Sequence, residues 1–194
     1  TMTDLKNAVN GIGYLMSEGR MTYSADFAIF ADLRGGDFQA ISNNNQAGPI
    51  ARYTMTKYDQ EPYYAYAYFY QAIANVNKAL SAIDNIQYSE EEVAEFNDYK
   101  GQLYAWRAML HFDLARMFCN IPTATADVNA ANSGLVLSTE VYETDYVGSR
   151  STLKQTYDQI LEDFKTALPL LTTEKNNGYI NYWAALALRA RVYL

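Results

Sequence analysis

The sequence predicts an all-α fold built from antiparallel helix pairs. Apolar residues recur three and four positions apart over several segments, which is the spacing of one helix face. Two segments begin with capping-box spacing, Ser89 with Glu92 and Thr152 with Gln155. A short turn separates the last two segments, as between antiparallel helices. Together these patterns indicate helices packed on helices.

The segment 61–86 is predicted to be the first helix of a pair. Tyrosine and alanine alternate at its start, as in a half-buried strand, but the alternation stops at Tyr70. Read as a helix, the segment gathers its apolar side chains on one stripe. That stripe is Tyr66, Phe69, Tyr70, Ile73, Val76, Asn77, Leu80 and Ile83. We therefore predict that Tyr66 and Tyr70 pack in the core, that Tyr64 and Tyr68 pack against a neighbouring pair, and that none forms a binding platform.

The second predicted helix runs from about Glu90 to Phe118 and ends before Pro122, because a proline disfavours helical backbone in the residue before it. Its apolar residues cover much of the circumference, which is typical of a helix packed between neighbours. Residues 123–150 are mostly small and polar, and we predict that they form a long connection.

A further helix pair is predicted at the C-terminal end. Apolar residues follow Thr152 at helical spacing, and Pro169 is expected to end or kink this helix. The residues KNNGYIN turn the chain, and Ile180 to Leu194 is the antiparallel partner. Successive pairs of similar size predict a tetratricopeptide-like α-α superhelix, although the first pair is longer than the usual unit of about 34 residues.

The N-terminal part is predicted to hold one helix, from about Asp4 to Ser17, followed by a long irregular loop region. Residues 20–60 have weak periodicity, and so long a loop is uncommon in a compact domain unless it has a function. We expect residues 1–194 to form a single helical domain. Its parts are 1–60 (first helix plus irregular loop), 61–122 (first helix pair) and 151–194 (second helix pair).

Composition narrows the functional classes. The 194 residues carry a formal net charge of -7, which argues against nucleic acid as the main partner. No apolar run approaches the roughly 20 residues that a membrane span needs, and no signal-peptide pattern is visible. Cys119 is the single cysteine, so an internal disulfide and a multi-cysteine metal site are excluded.

Several polar residues that resemble catalytic groups have structural explanations. Asp113 and Arg116 are three apart on one helix and are expected to pair, and Arg107 is expected to be structural. His111 has no second histidine or cysteine with which to hold a metal. Asn77, on an apolar stripe, is expected to bind the backbone of a neighbouring loop. No phosphate loop or nucleophile elbow is present, so neither an enzyme nor a cofactor is predicted.

Three passages, spread in order over most of the chain, carry a family resemblance. They are YFYQAIANVNKALSAIDNI, RAMLHFDLARMFCNIP and TYDQILEDFKTALPLLTTEKNNGYINYWAALALRARVYL. Together they resemble the SusD/RagB-like family, the outer-membrane nutrient-binding lipoproteins of bacterial polysaccharide-uptake systems. The matching positions include Asn77, Arg107, Ala108, Phe112, Asp113, Leu114, Arg116, Pro122, Tyr157, Asp163, Ala185 and Arg191. Cys119, Asn120 and Tyr179 depart from the family's usual Gly, Asp and Arg.

The resemblance implies a non-catalytic, lipid-anchored protein on the outer face of the outer membrane. It would capture a glycan and deliver it to a SusC-like TonB-dependent transporter. The resemblance also implies that this chain is the N-terminal fragment of a longer protein, because the lipid-bearing cysteine is absent and typical members continue beyond Leu194. Three alternatives stay open: a SusD-like binder of peptide or another non-sugar nutrient, a tetratricopeptide-type protein-protein adaptor, and an all-α glycoside hydrolase.

The expected ligand region is the passage from Ala31 to Tyr58. It mixes aromatic rings with planar hydrogen-bonding groups, and a sugar needs both, because its CH-rich faces stack on rings while its hydroxyls bind amides, carboxylates and guanidinium groups. The candidate ligand-binding residues are Asp32, Arg34, Phe38, Asn44, Arg52, Tyr53 and Tyr58. No metal ligand is predicted.

Overall fold

The computed structural model describes residues 1–18, 22–24, 26–35, 48–175 and 178–194. Among these residues the regular elements are α-helices and short 3-10 helices, and there is no β-strand, so the predicted all-α class is confirmed. The helices are α1 (Met2–Glu18), α2 (Asp26–Gly35), α3 (Gly48–Ala51), α4 (Gln60–Ser81), α5 (Val93–Phe118), α6 (Leu153–Ala167) and α7 (Tyr182–Tyr193). None of these described helices combines the length and apolarity needed to cross a membrane.

The chain divides into two compact units. We name the unit formed by residues 1–12 and 72–194 the frame unit, and the unit formed by residues 13–71 the loop unit. The expectation of one domain over residues 1–194 stays a prediction.

The centre of the frame unit is α5, which packs along α6, while α6 packs on α7. Leu103, Leu110 and Leu114 of α5 are fully buried, as expected for a helix that is apolar around much of its circumference. Gly101 lets the segment after α6 approach closely, because a Cβ atom at this position would lie 3.0 Å from the side chain of Leu171.

Caps and polar contacts set the ends of these helices. The side chain of Thr152 accepts a hydrogen bond from the amide of Gln155 (3.1 Å), and the Gln155 side chain accepts one from the amide of Thr152 (2.9 Å). The predicted capping box therefore starts α6. The helix ends at Ala167, two residues before Pro169, as predicted.

The loop unit contains two helices inside the passage predicted to be irregular. The apolar residues of α2 are nearly contiguous in the sequence and do not repeat at helical spacing, which explains why periodicity did not indicate this helix. An aromatic cluster lies at the core of the unit. The ring centre of Phe69 is 5.5 Å from that of Tyr23 and 5.2 Å from that of Phe27. These rings join α4 to the segment that leads into α2.

The buried face of α4 corrects one prediction. Ala65, Phe69 and Ile73 are buried, whereas Tyr66 is 39% exposed, so the assignment of Tyr66 to the core is wrong. One residue corresponds to about 100° around a helix, and the buried stripe passes through Ala65 rather than its neighbour. The helix also ends at Ser81, earlier than predicted, and a 3-10 turn follows at Ile83–Asn85.

Candidate functional site

Arg34 and Tyr53 form a contacting pair in the predicted ligand region. Arg34 lies in the last turn of α2, Tyr53 follows α3, and these two helices pack together. The hydroxyl group of Tyr53 donates a hydrogen bond to the backbone carbonyl of Arg34, and the guanidinium carbon of Arg34 lies 5.3 Å from the centre of the Tyr53 ring. Tyr53 is 64% exposed. The pair therefore presents an aromatic ring and a planar donor group to solvent.

The backbone at Tyr53 adopts a left-handed conformation, with φ of 56°. This conformation costs a non-glycine residue roughly 1–2 kcal/mol and often occurs at functional sites. The amide of Tyr53 donates to the carbonyl of Ile50 (3.2 Å), and that of Thr54 donates to the carbonyl of Pro49 (3.0 Å). These bonds hold the turn that follows α3 and so maintain the position of the exposed ring.

Arg52 and Tyr58 have other neighbours. The guanidinium nitrogens of Arg52 lie 2.8 Å from the point where a Cβ of Gly48 would be, so the side chain folds back over α3. Tyr58 is 84% exposed, and the ammonium nitrogen of Lys57 lies 5.1 Å from the centre of its ring. Sequence reasoning missed Lys57, which gives the loop unit a second exposed pair of a cation and a ring.

Two carboxylates of this unit differ in their surroundings. Asp32 is exposed on α2, two residues before Arg34, and residues two apart on a helix point to different sides. Asp59, which the sequence analysis did not select, accepts hydrogen bonds from the amide (2.5 Å) and the hydroxyl (2.9 Å) of Thr56. These bonds lower the pKa of the Asp59 carboxyl, the backbone bond most of all.

Two predicted ligand residues, Phe38 and Asn44, lie outside the described residues. Of the five that are described, Arg34 and Tyr53 contact each other. A ligand-binding role for any of the seven stays a prediction.

A row of tyrosine rings on α4 is a feature that the sequence analysis assigned to packing. Tyr63 is 66% exposed and Tyr64 is 40% exposed, and their ring centres are 5.3 Å apart. The ring of Tyr64 also lies 6.0 Å from that of Tyr68. The signal was available in the sequence, because these positions fall off the stripe that holds Phe69 and Ile73.

The frame unit contains a buried polar cluster around Arg107. The guanidinium group donates to both carboxylate oxygens of Asp163, at 2.8 and 2.7 Å, and thereby joins α5 to α6. It also donates to the side chain of Asn77 and to the carbonyl of Thr139, each at 2.9 Å. Arg107 is 6% exposed and Asp163 is 2% exposed. The cluster is thus paired and closed to solvent, and Arg107 is structural as expected.

The same cluster holds the connection between α5 and α6. The side-chain Nδ2 of Asn77 donates to the backbone carbonyls of Ser138 (3.0 Å) and Glu140 (3.1 Å), which confirms the predicted bond to a loop backbone. Nε2 of His111 accepts a bond from the amide of Ser138 (3.4 Å), while Nδ1 has no partner among the described residues. Burial, together with the charge of Arg107, lowers the pKa of His111 to about 3.

A groove of about 550 Å³ lies in the frame unit at the ends of α5, α6 and α7. Phe112, Tyr157 and Val192 contribute apolar side chains to its walls. At its edge Arg116 pairs with Asp113 (2.8 Å), as predicted. Among the residues described, no three His, Cys, Asp or Glu side chains come together in a way that could hold a metal ion.

Nearly the whole chain matches a single protein family. The matching family model is described as starch-binding associating with outer membrane, SusD-like, and it aligns with residues 3–194. The chain belongs to the SusD-like family. The resemblance drawn from three sequence passages is therefore confirmed.

Several SusD-like proteins are much longer than this chain. SusD-like protein P38 of Formosa agariphila is 24% identical over 172 residues, which make up 89% of this chain and 29% of that protein. A putative sugar binding protein from Bacteroides vulgatus, of known structure, is 33% identical with a TM-score of 0.90. A SusD superfamily protein from Bacteroides thetaiotaomicron is 30% identical with a TM-score of 0.86. Both structures match 100% of this chain and 42% of their own length.

Proposed function

We propose that this chain is the N-terminal helical part of a non-catalytic, glycan-binding SusD-like protein of the outer membrane. The family match over residues 3–194, with its description as starch-binding, carries the proposal. A laminarin-binding SusD-like protein has the same fold, with a TM-score of 0.74 at 18% identity, so glycan binding is compatible with this architecture.

In this proposal the two units have different tasks. The frame unit is closed by its buried polar cluster and supplies a rigid support. The loop unit supplies ligand contacts through the ring of Tyr53 and the guanidinium group of Arg34, which are exposed side by side. A ring for the CH-rich face of a sugar and a planar donor for its hydroxyls is a combination that suits an uncharged glycan.

The proposal extends to location and partner. The protein is anchored by lipid to the outer face of the outer membrane and passes its glycan to a SusC-like TonB-dependent transporter. The family description, which names association with the outer membrane, supports this part. Co-purification of the natural full-length protein with a TonB-dependent transporter from detergent-solubilised outer membranes tests it. Recovery of the protein in the periplasmic fraction, without a transporter, would contradict it.

Glycan binding is tested by calorimetry on the full-length protein. The panel contains neutral oligosaccharides (laminarihexaose, maltoheptaose, xylohexaose and mannohexaose), an oligogalacturonate as an acidic sugar, and a mixture of short peptides. We expect saturable binding of at least one oligosaccharide, with no shorter product released on prolonged incubation. Binding of peptides alone would show that the ligand is a nutrient other than a sugar. Hydrolysis of a bound sugar would show that the protein is an enzyme.

A further inference from the structure

We propose that Tyr63, Tyr64 and Tyr68 on α4 form a second saccharide-binding surface, separate from Arg34 and Tyr53. We name these three side chains the tyrosine ladder. The inference rests on the proposed glycan-binding function and adds a site and a class of sugar to it, namely an uncharged oligosaccharide.

Exposure is the first observation. A single exposed aromatic side chain is ordinary on a protein surface, but here two consecutive tyrosines are 66% and 40% exposed and a third lies one turn further along the same helix. The buried face of α4 is satisfied without them, since Ala65 and Phe69 fill it. Packing on the buried face of α4 therefore does not account for Tyr63 and Tyr64, while Tyr68 is half-buried beside them.

Ring geometry is the second observation. The planes of Tyr64 and Tyr68 differ by 24° and their centres are 6.0 Å apart. The closely stacked pair Tyr142 and Tyr146, by contrast, has centres 4.0 Å apart and planes that differ by 11°. The longer separation displaces the ladder rings sideways or apart, so part of each face stays uncovered. Tyr63 meets Tyr64 edge to face, at 73°, and extends the surface.

Charge identifies the class of ligand. Residues 62–71, PYYAYAYFYQ, contain no cationic side chain, and the nearest charged residue of the helix is Glu61, one turn before Tyr64. An acidic glycan would therefore meet a like charge and find no cation on this part of α4, whereas a neutral sugar needs only ring faces and hydroxyl partners. Within the described part of the chain, the ladder hydroxyls make no hydrogen bond and so have free donors and acceptors.

The test compares matched variants of the full-length protein. The double variant Tyr64→Ala, Tyr68→Ala removes most of the ladder, and Tyr63→Ala removes its most exposed ring. Tyr66→Ala is the control, because Tyr66 lies on the same helix, is 39% exposed, and its ring contacts that of Tyr70. Calorimetry with the neutral oligosaccharides of the panel measures affinity, and thermal unfolding without sugar measures stability.

We expect the double variant to bind the neutral oligosaccharide about tenfold more weakly, because two of the three rings that would stack on the sugar are removed. Tyr63→Ala should weaken binding severalfold, and Tyr66→Ala should leave affinity unchanged. Wild-type affinity in the double variant and in Tyr63→Ala would overturn the ladder while leaving the proposed function intact. An equal loss in Tyr66→Ala, or a large drop in unfolding temperature with unchanged affinity, would show a packing role and would also overturn it. A wild-type protein that binds no oligosaccharide would overturn both proposals.

Discussion

Two arginines show how differently the two units use the same side chain. Arg107 in the frame unit is 6% exposed and makes four hydrogen bonds to Asp163, Asn77 and the carbonyl of Thr139. Arg34 in the loop unit is exposed and lies over an exposed ring. A buried guanidinium needs partners for its donors, because an unpaired buried charge is costly. An exposed one keeps donors that a ligand can use.

The difference teaches where to look for function in this fold. Charged residues inside the helix pairs resemble functional groups in the sequence. In the structure they form the hydrogen bonds and ion pairs that join helices to each other and to loops. The fold depends less on the contacts of exposed ring and guanidinium groups that lie on a poorly periodic segment. Substitutions in the frame unit should therefore change stability, and substitutions in the loop unit should change binding.

The largest effect is expected for Arg107→Ala. The change leaves the buried carboxylate of Asp163 without its ion-pair partner, which typically costs about 3–5 kcal/mol. Urea denaturation of the purified chain measures this loss in the free energy of unfolding. Lys165→Ala is the control, because Lys165 pairs with Glu162 at an exposed position and such a pair contributes about 0–1 kcal/mol. Equal losses in the two variants would contradict the assigned difference between buried and exposed pairs.

An intermediate effect is expected from pH, through His111, the only histidine of the chain. Its pKa is about 3 in the folded protein against 6.5 for the free side chain, so between these values the unfolded chain binds a proton that the folded protein does not. Stability is complete above pH 6.5 and decreases as pH falls towards 3. From pH 7 to pH 5 the expected loss is about 2 kcal/mol.

Urea denaturation at pH 7 and pH 5 checks this expectation. The variant His111→Gln keeps an acceptor for the amide of Ser138 but has no titrating ring. Its stability should change less over this interval than that of the wild-type protein. The same pH dependence in both proteins would assign the proton uptake to other groups.

The smallest effect on stability is expected for Arg34→Ala. The change removes the exposed contact between the guanidinium group and the Tyr53 ring, which contributes about 0.5–1 kcal/mol to the free energy of unfolding. The affinity for the neutral oligosaccharide should fall about two- to tenfold, since a hydrogen bond from the guanidinium group to the sugar contributes about 0.5–1.5 kcal/mol. Calorimetry and urea denaturation on the same preparation separate the two quantities. A clear loss of stability with unchanged affinity would reverse the roles assigned to the two units.

Helices with strong periodicity were predictable, and those without it were not. The stripe of α4, the capping box of α6 and Pro169 predicted helices that the structure confirms. By contrast, α2 is a compact run of apolar residues whose helical state depends on its neighbours, including the contact of Phe27 with Phe69. Local pattern does not contain that information.

The candidate site was predictable only as a region. Residue types indicated that the passage 31–58 suits a sugar, but not that Arg34 would meet Tyr53, nineteen residues later. The partner of Arg107 was equally hidden, because Asp163 is 56 residues away in the sequence. Pairs of this kind are made by helix packing, and a single sequence carries no direct signal for them.

By itself, the sequence determined the helical class, most helix boundaries and the absence of a familiar catalytic motif, since these follow from spacing, caps and local residue types. The family was indicated separately, by the resemblance of three passages to its known members. Tertiary structure decided which polar groups are paired in the interior and which are exposed to solvent. The reason is physical: burial depends on what packs against a side chain, and a shift of one residue around α4 separates the buried Ala65 from the exposed Tyr66.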